Sequence, residues 1–384
     1  MHDVAIHEQV ATLAQSVGFA SAGIAPIPPP GEEADSDYPE LSYFEPWIER
    51  GRAGEMQYLK RRDDAGRLLR SALRIAVPWA RSVVVCAANY NPEAPKSIDP
   101  APPETAWRAR YALTQNIQAG QPSDYHDVLL ARLKKLEQAL QQALGPFSSR
   151  CYVDTGPLVE RIYAKYAGIG WIGKNTCIID QKLGSWLFLG VILTGLELPS
   201  AGPLPLAEVV AEDRCGTCTR CIDACPTGAL VAPYEMDASL CISYLTIEKR
   251  GAIPDHLRPQ MGRQVFGCDI CQDVCPWNRR APVSLDAELA VRPELVNPAL
   301  SWLAELDAES FRRLFRRSPV QRAKLGGLLR NVAIAMGNSG LSEYLPKLRE
   351  WAASPDPVLA DAAQWALARS TGETGAESGI SNSP

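Results

Sequence analysis

The chain has 384 residues, 46% of them hydrophobic and 22% charged, with a formal net charge of −5 at pH 7. That length allows two or three domains around sizeable cores, and the composition is that of an ordinary globular protein. The acidic balance excludes an indiscriminate polycationic nucleic-acid binder but leaves room for a local basic patch. No 18 apolar residues run together, and Met1–Glu8 carries neither the basic nor the apolar region of an export signal. A cytosolic protein with reduced thiols is expected, without membrane contact.

In chain order, residues 4–24 read as an amphipathic helix followed by the short strand Ala22–Ala25, and residues 26–40 as a surface loop rich in Pro, Glu and Asp. A glycine-interrupted helical stretch spans Trp47–Leu59. The β-branched run at 82–88 predicts a strand buried on both faces, and Cys86 within it belongs to a core. Residues 91–123, with five prolines between Pro92 and Pro103, read as loop. Leu129, Leu133, Leu136 and Leu140 then share one helical face, behind Asp124 as N-cap. A strand at 149–153 ends at Asp154, a helix covers 157–167, and strands follow near 176–180 and 185–194. Leu198–Pro205 is expected to be a linker. From 298 to 370 the pattern is all-helical, with one helix stopping at Gly337-Asn338 and short Pro/Asp turns that suggest a HEAT-like array. The Gly/Ser/Glu-rich tail reads as disordered.

Eight of the eleven cysteines lie within the 61 residues from Cys215 to Cys275. Cys215, Cys218, Cys221 and Cys225-Pro226 have the C-x2-C-x2-C-x3-C-P spacing of bacterial ferredoxins, whose fourth cysteine serves the other cluster. On that logic Cys215, Cys218, Cys221 and Cys275 hold one [4Fe–4S] cluster, and Cys225, Cys241, Cys268 and Cys271 the other. Zinc and disulfides compete for isolated C-x2-C pairs, but two interleaved sets ending in Cys-Pro favour iron–sulfur. Cys151 and Cys177 flank apolar segments and are given no ligand role.

Three further features bear on chemistry. Asp154, where a strand meets a loop, is either the N-cap of the next helix or a carboxyl facing a cleft; a proton donor there would have to be desolvated. Gly168-x-Gly170-x-x-Gly173-Lys174 follows a helix and precedes a strand, the reverse of a dinucleotide fingerprint, and is expected to let the backbone approach a flat ligand. Seven cations without an acid lie between Arg312 and Arg330, which points to a phosphate-binding surface more than to a merely solvated face.

With these residues in view, the sequence resembles the epoxyqueuosine reductases along nearly its whole length. The matching stretches are Gly54–Leu59, Asp124-Tyr-His-Asp127, Val153-Asp-Thr-Gly-Pro157, Ala167–Asn175, the eight cysteines, Cys241–Glu248, Phe266–Asn278 and Arg330-Asn331. The resemblance implies an oxidoreductase that reduces epoxyqueuosine to queuosine in tRNA, the last step of queuosine synthesis. It further implies cobalamin, as cob(II)alamin, beside two [4Fe–4S] clusters, the Cys225/Cys241/Cys268/Cys271 cluster nearer to it, and an unidentified low-potential electron donor. By the same resemblance Asp154 is the proton donor and lies against the cofactor. Arg70 contacts cobalamin, with Ile178, Leu189, Ile242, Ser243 and Thr246 at lining positions. Lys249 and Arg250 fall where the family meets tRNA, joined by Arg316, Arg317, Arg322 and Arg330. The sequence departs from the family in the insertion Thr114–Ser123 and between Tyr58 and Arg70.

The expected architecture is an α/β mixed-sheet, cobalamin-binding catalytic domain (1–204), a ferredoxin-like two-cluster domain (205–297) and an all-α HEAT-like tRNA-binding module (298–370), with a disordered tail at 371–384. The alternatives are a cobalamin-dependent reductive dehalogenase, which normally carries the twin-arginine signal missing here, and a non-catalytic iron–sulfur electron-transfer protein. The 200 residues ahead of the clusters argue against a plain carrier.

Overall fold

The computed structural model describes residues 2–28, 37–199 and 212–371. The tail after Thr371 and most of the expected linker at 198–205 lie outside the described residues. The largest sheet has four strands in the spatial order Ser21–Pro26, Ser82–Asn89, Leu187–Thr194 and Ser149–Tyr152. Every pairing in it is antiparallel, which corrects the expected mixed sheet. The run at 82–88 is buried on both faces as expected, a property more typical of parallel sheets. Here it arises because helices cover both faces of an antiparallel one. Val83, Val85 and Ala87 face Ile162 and Tyr163, whereas Val84, Cys86 and Ala88 face Leu129, Leu133 and Leu136.

The helix Tyr125–Leu144 supplies that second face, and its N-cap is Asp124, whose side chain accepts from the His126 N–H at 3.0 Å. The stretch read as loop holds order of its own. Within the insertion, Thr114–Asn116 pairs with Gln121–Pro122 and with Ala290–Val291, and the Ser123 hydroxyl donates to Glu288 O at 2.6 Å. The expected surface loop is corrected at its end: Asp37 and Tyr38 are buried, with Asp37 accepting from the Tyr163 hydroxyl at 2.7 Å.

Two four-residue helices, Arg220–Asp223 and Ile270–Asp273, carry the C-x3-C-P segments of the two cysteine groups. From there one hydrophobic core continues through Ile242, Leu245 and Phe266 to Leu328, Val332, Leu348 and Ala363 of the C-terminal helices. The helix expected to stop at Gly337-Asn338 runs over Lys324–Ser339 and ends at Gly340, whose φ of 71° terminates it. Gly337 is interior for a packing reason: a Cβ there would stand 2.8 Å from Ala366 Cα of the crossing helix.

Arg330, expected on the tRNA surface, is 1% exposed. Its guanidinium donates to Leu245 O at 2.6 Å, Lys249 O at 2.8 Å and Gly251 O at 2.7 Å, and Asn331 donates to Thr246 O and Val265 O at 2.9 Å each. The Arg330-Asn331 pair therefore fastens the helical region to the segment that follows Cys241. Arg330→Met would leave one buried and two part-buried carbonyls without this donor, so unfolding titrations are expected to show a loss of about 3–5 kcal/mol.

Candidate active site and cluster ligands

Asp154 lies two residues beyond the strand Ser149–Tyr152 and takes a left-handed backbone with φ 55°. Such strain costs about 1–3 kcal/mol and persists where the surroundings hold it. It is not an N-cap: the next helix starts only at Glu160, after Val159, without a side-chain cap bond. Instead the Tyr125 hydroxyl donates to Asp154 Oδ2 at 3.1 Å, and His126 Nε2 stands 4.0 Å from the same oxygen. His126 Nδ1 lies 2.7 Å from Asp124 Oδ1, a bond that places the ring proton on Nδ1 and turns Nε2 towards Asp154. An Asp124–His126–Asp154 line results. The contiguous Asp-Tyr-His was visible in the sequence, but only the turn of the helix against the strand end shows its purpose.

Around Asp154 the structure gathers residues from distant parts of the chain. Arg70 donates to Leu158 O at 3.0 Å and lies over the Tyr58 ring at 5.8 Å; Arg322 lies over the same ring at 5.4 Å. Burial raises the Tyr58 phenol, with the Glu248 charge adding to the shift. Tyr58, Tyr111 and Glu248 escaped the sequence reading because nothing local marks them as neighbours of Asp154. The Asp154 side chain is 69% exposed, so the protein alone does not supply the desolvation expected of a proton donor.

Glu160 does have that property. Its Oε1 is buried and has no hydrogen-bond partner among the described residues, and burial, with the Asp154 charge adding to it, pushes the carboxyl up to about 7. A carboxyl raised in the folded state adds stability that is complete below its ordinary value of 4.5 and is lost as pH rises through about 7. Glu160→Gln is therefore expected to be more stable than the parent by about 2 kcal/mol at pH 8 and by almost nothing at pH 4.5, read from thermal unfolding across that range.

Three expected cofactor positions lie deep in the protein. Ile178, Ile242 and Thr246 are 3%, 2% and 1% exposed and belong to the protein's own cores. The Thr246 hydroxyl is fully used, donating to Ile242 O at 2.7 Å and accepting from Gly267 N at 2.8 Å. Leu189 and Ser243 keep some surface. The glycine loop is corrected: a Cβ on Gly170 would stand 2.1 Å from Ile179 O, so its close approach is to the neighbouring strand rather than to a ligand.

Thiols from the two sequence groups come to neighbour one another. Burial pushes Cys221 up to about 11, with Cys275 and Cys215 the next contributors, and Cys215, Cys275 and Trp277 pack beside Trp171. Burial likewise raises Cys268, with Cys241 and Cys225 adding to it, while Cys271 feels Cys268 and Cys241. Cys177, given no role from the sequence, is the neighbour with the largest influence on the Cys271 thiol, ahead of burial.

Of the expected tRNA residues, Arg316, Arg317 and Arg322 are exposed, and Arg317 Nε lies 3.8 Å from Asp127 on the helix that carries Tyr125 and His126. The basic surface thus borders the Asp154 cleft. Lys249 pairs with Glu55, and Arg250 donates to Arg322 O at 2.9 Å, so both act partly within the protein.

Comparison with known proteins follows the same division. Residues 214–278 match the family described as 4Fe-4S double cluster binding domain, and residues 70–155 match Epoxyqueuosine reductase QueG, DUF1730. An epoxyqueuosine reductase of Pseudomonas aeruginosa is 37% identical over 373 residues, 95% of this chain and 96% of that protein. A crystal structure of epoxyqueuosine reductase with an epoxyqueuosine-modified tRNA-Tyr stem loop is 29% identical, with a TM-score of 0.78, over 95% of this chain and 90% of that one. The Bacillus subtilis epoxyqueuosine reductase, in a structure with the catalytic loop of an aspartate swung out of the active site, is 28% identical over the same shares, with a TM-score of 0.77.

Proposed function

The chain belongs to the epoxyqueuosine reductase family, and from that premise we propose that it reduces epoxyqueuosine to queuosine in tRNA. Both C–O bonds of the epoxide break, a C=C bond forms, and the oxygen leaves as water with two electrons and two protons taken up. The observation that carries this reading is the strained Asp154, bonded to Tyr125, approached by His126 and bordered by a basic surface. Asp154 delivers the first proton to the epoxide oxygen. His126 Nε2, 4.0 Å away, is placed to reload Asp154 for the second, while Asp124 holds the ring in place.

The residues fit the cofactors that the reaction needs. The two cysteine sets would hold the [4Fe–4S] clusters, Cys215, Cys218, Cys221 and Cys275 one and Cys225, Cys241, Cys268 and Cys271 the other; once bound, these pass single electrons from a low-potential donor. For cobalamin the fit rests on Glu160 Oε1, a buried acceptor without a donor near Arg70, which suits a ligand rimmed with amides. Arg70, Leu189 and Ser243 would line it, and cobalamin when bound supplies the low-valent cobalt that carries electrons to the substrate. The thiolate ligands and the tRNA substrate both suit the cytoplasm.

The test is incubation of cluster-reconstituted protein with epoxyqueuosine-containing tRNA, cobalamin and a low-potential reductant, followed by nucleoside analysis. Queuosine should appear; its absence would sink the proposal. Arg316→Gln with Arg317→Gln is expected to weaken stem-loop binding and to lower the slope of log Kd against log salt by about 1 for each phosphate contact removed, measured from 50 to 200 mM salt.

A further inference from the structure

Away from the cleft, a small cavity lies between the strand Trp107–Arg108, the turn Arg110–Ala112, the segment Leu295–Asn297 and Asp269. It offers about 10 Å³ for the centre of a water-sized particle, enough for one monatomic occupant and too little for sulfate or phosphate. Arg108 and Arg110 are each 6% exposed. Arg108 Nε and Nη1, Arg110 Nε and Asn297 Nδ2 are all buried donors without a hydrogen-bond partner among the described residues. The other Arg110 nitrogens are used, on Asn91, Pro92 O and Ala94 O, and Arg108 Nη2 makes one long bond to Ala112 O at 3.3 Å.

The charges around the cavity decide what it takes. Asp269 Oδ2 already accepts from the Arg110 backbone N–H at 2.7 Å, and Asp273 Oδ1 lies 3.6 Å from Arg110 Nη2. Arg108 has no carboxylate within salt-bridge distance among the described residues; its neighbour Arg292 is a second cation, paired with Glu294. Burial, with Arg292 next, lowers Arg108 to about 9, the mark of a guanidinium short of negative charge. A water in this place accepts only two hydrogen bonds and must place two protons among donors. A halide accepts from several N–H groups at once and brings the missing charge.

We propose that this cavity binds one small monovalent anion of chloride size, held by Arg108 Nε and Nη1, Arg110 Nε and Asn297 Nδ2. Its position gives it a structural consequence. The strand Trp107–Arg108 pairs in parallel with Gln264–Phe266, the strand that runs into Cys268. Occupancy therefore steadies the backbone leading to a cluster ligand.

The test uses the full chain with its clusters, prepared in sodium gluconate and melted at constant ionic strength while chloride or bromide replaces gluconate. Tm is expected to rise saturably with either halide and not with sulfate. Crystals grown in bromide should show an anomalous peak between Arg108 and Asn297. Asn297 has φ 45°, which aspartate also adopts, so Asn297→Asp places an internal anion without disturbing the fold. That variant should lose the halide response and melt in gluconate at least as high as the parent does in chloride. Equal melting of the parent in all salts without a bromide peak, meaning that a water fills the site, would overturn the proposal. So would an undiminished halide response in Asn297→Asp.

Discussion

Asp154→Asn is expected to hold both clusters and bind the tRNA stem loop, yet to form queuosine about 10²–10⁴-fold more slowly than the parent in single-turnover assays. Asparagine suits the test better than alanine for two reasons. It tolerates the φ of 55° that the position requires, and its Oδ1 can still accept from the Tyr125 hydroxyl. The fold and the strand-end loop should therefore survive, and only the transferable proton is lost. Because the Asp154 side chain is 69% exposed, substrate and cofactor must complete its burial before it can act as an acid. His126→Asn separates the second role from the first: turnover should be slowed less than in Asp154→Asn. A parent-like rate in Asp154→Asn would remove the acid role altogether.

Cys241→Ala is expected to reduce protein-bound iron from about eight to about four atoms per chain and to abolish turnover. Cys241 begins the helix Ile242–Ile247 and packs against the core shared with the C-terminal helices, and it neighbours Cys268 and Cys271, with which the proposed second set groups it. Removing it should spare the set formed by Cys215, Cys218, Cys221 and Cys275, so one reducible cluster should persist in the electron paramagnetic resonance spectrum. Retention of eight iron atoms, or loss of both clusters with the fold intact by circular dichroism, would contradict the interleaved assignment.

Much of this molecule could be read from the chain. The cysteine spacing announced a two-cluster domain because a ferredoxin turn allows only certain thiols to meet, and residues 214–278 match that family. The leucine face at 129–140 was legible through its helical period and the strand at 82–88 through its unbroken apolar run, both enforced by local backbone geometry. The misreadings share one cause. Arg330 looked like its exposed neighbours because charge alone does not say which turn of a helix faces inward; the carbonyls at 245, 249 and 251 decide that, and they lie some 80 residues away. Gly170 looked like a ligand platform because a glycine records only that something comes close, and here it is Ile179.

The sequence by itself thus determined the family and the two-cluster cysteine pattern, and it singled out Asp154 at a strand end, since each depends on residue type and short spacing. Only the tertiary structure decided that Asp154 is no helix cap, that His126 and Tyr125 attend it, that Glu160 is buried nearby, and that two buried arginines line a cavity. Those facts depend on burial and on contacts between distant segments, and burial is what turns an ordinary carboxyl or guanidinium into one with altered chemistry.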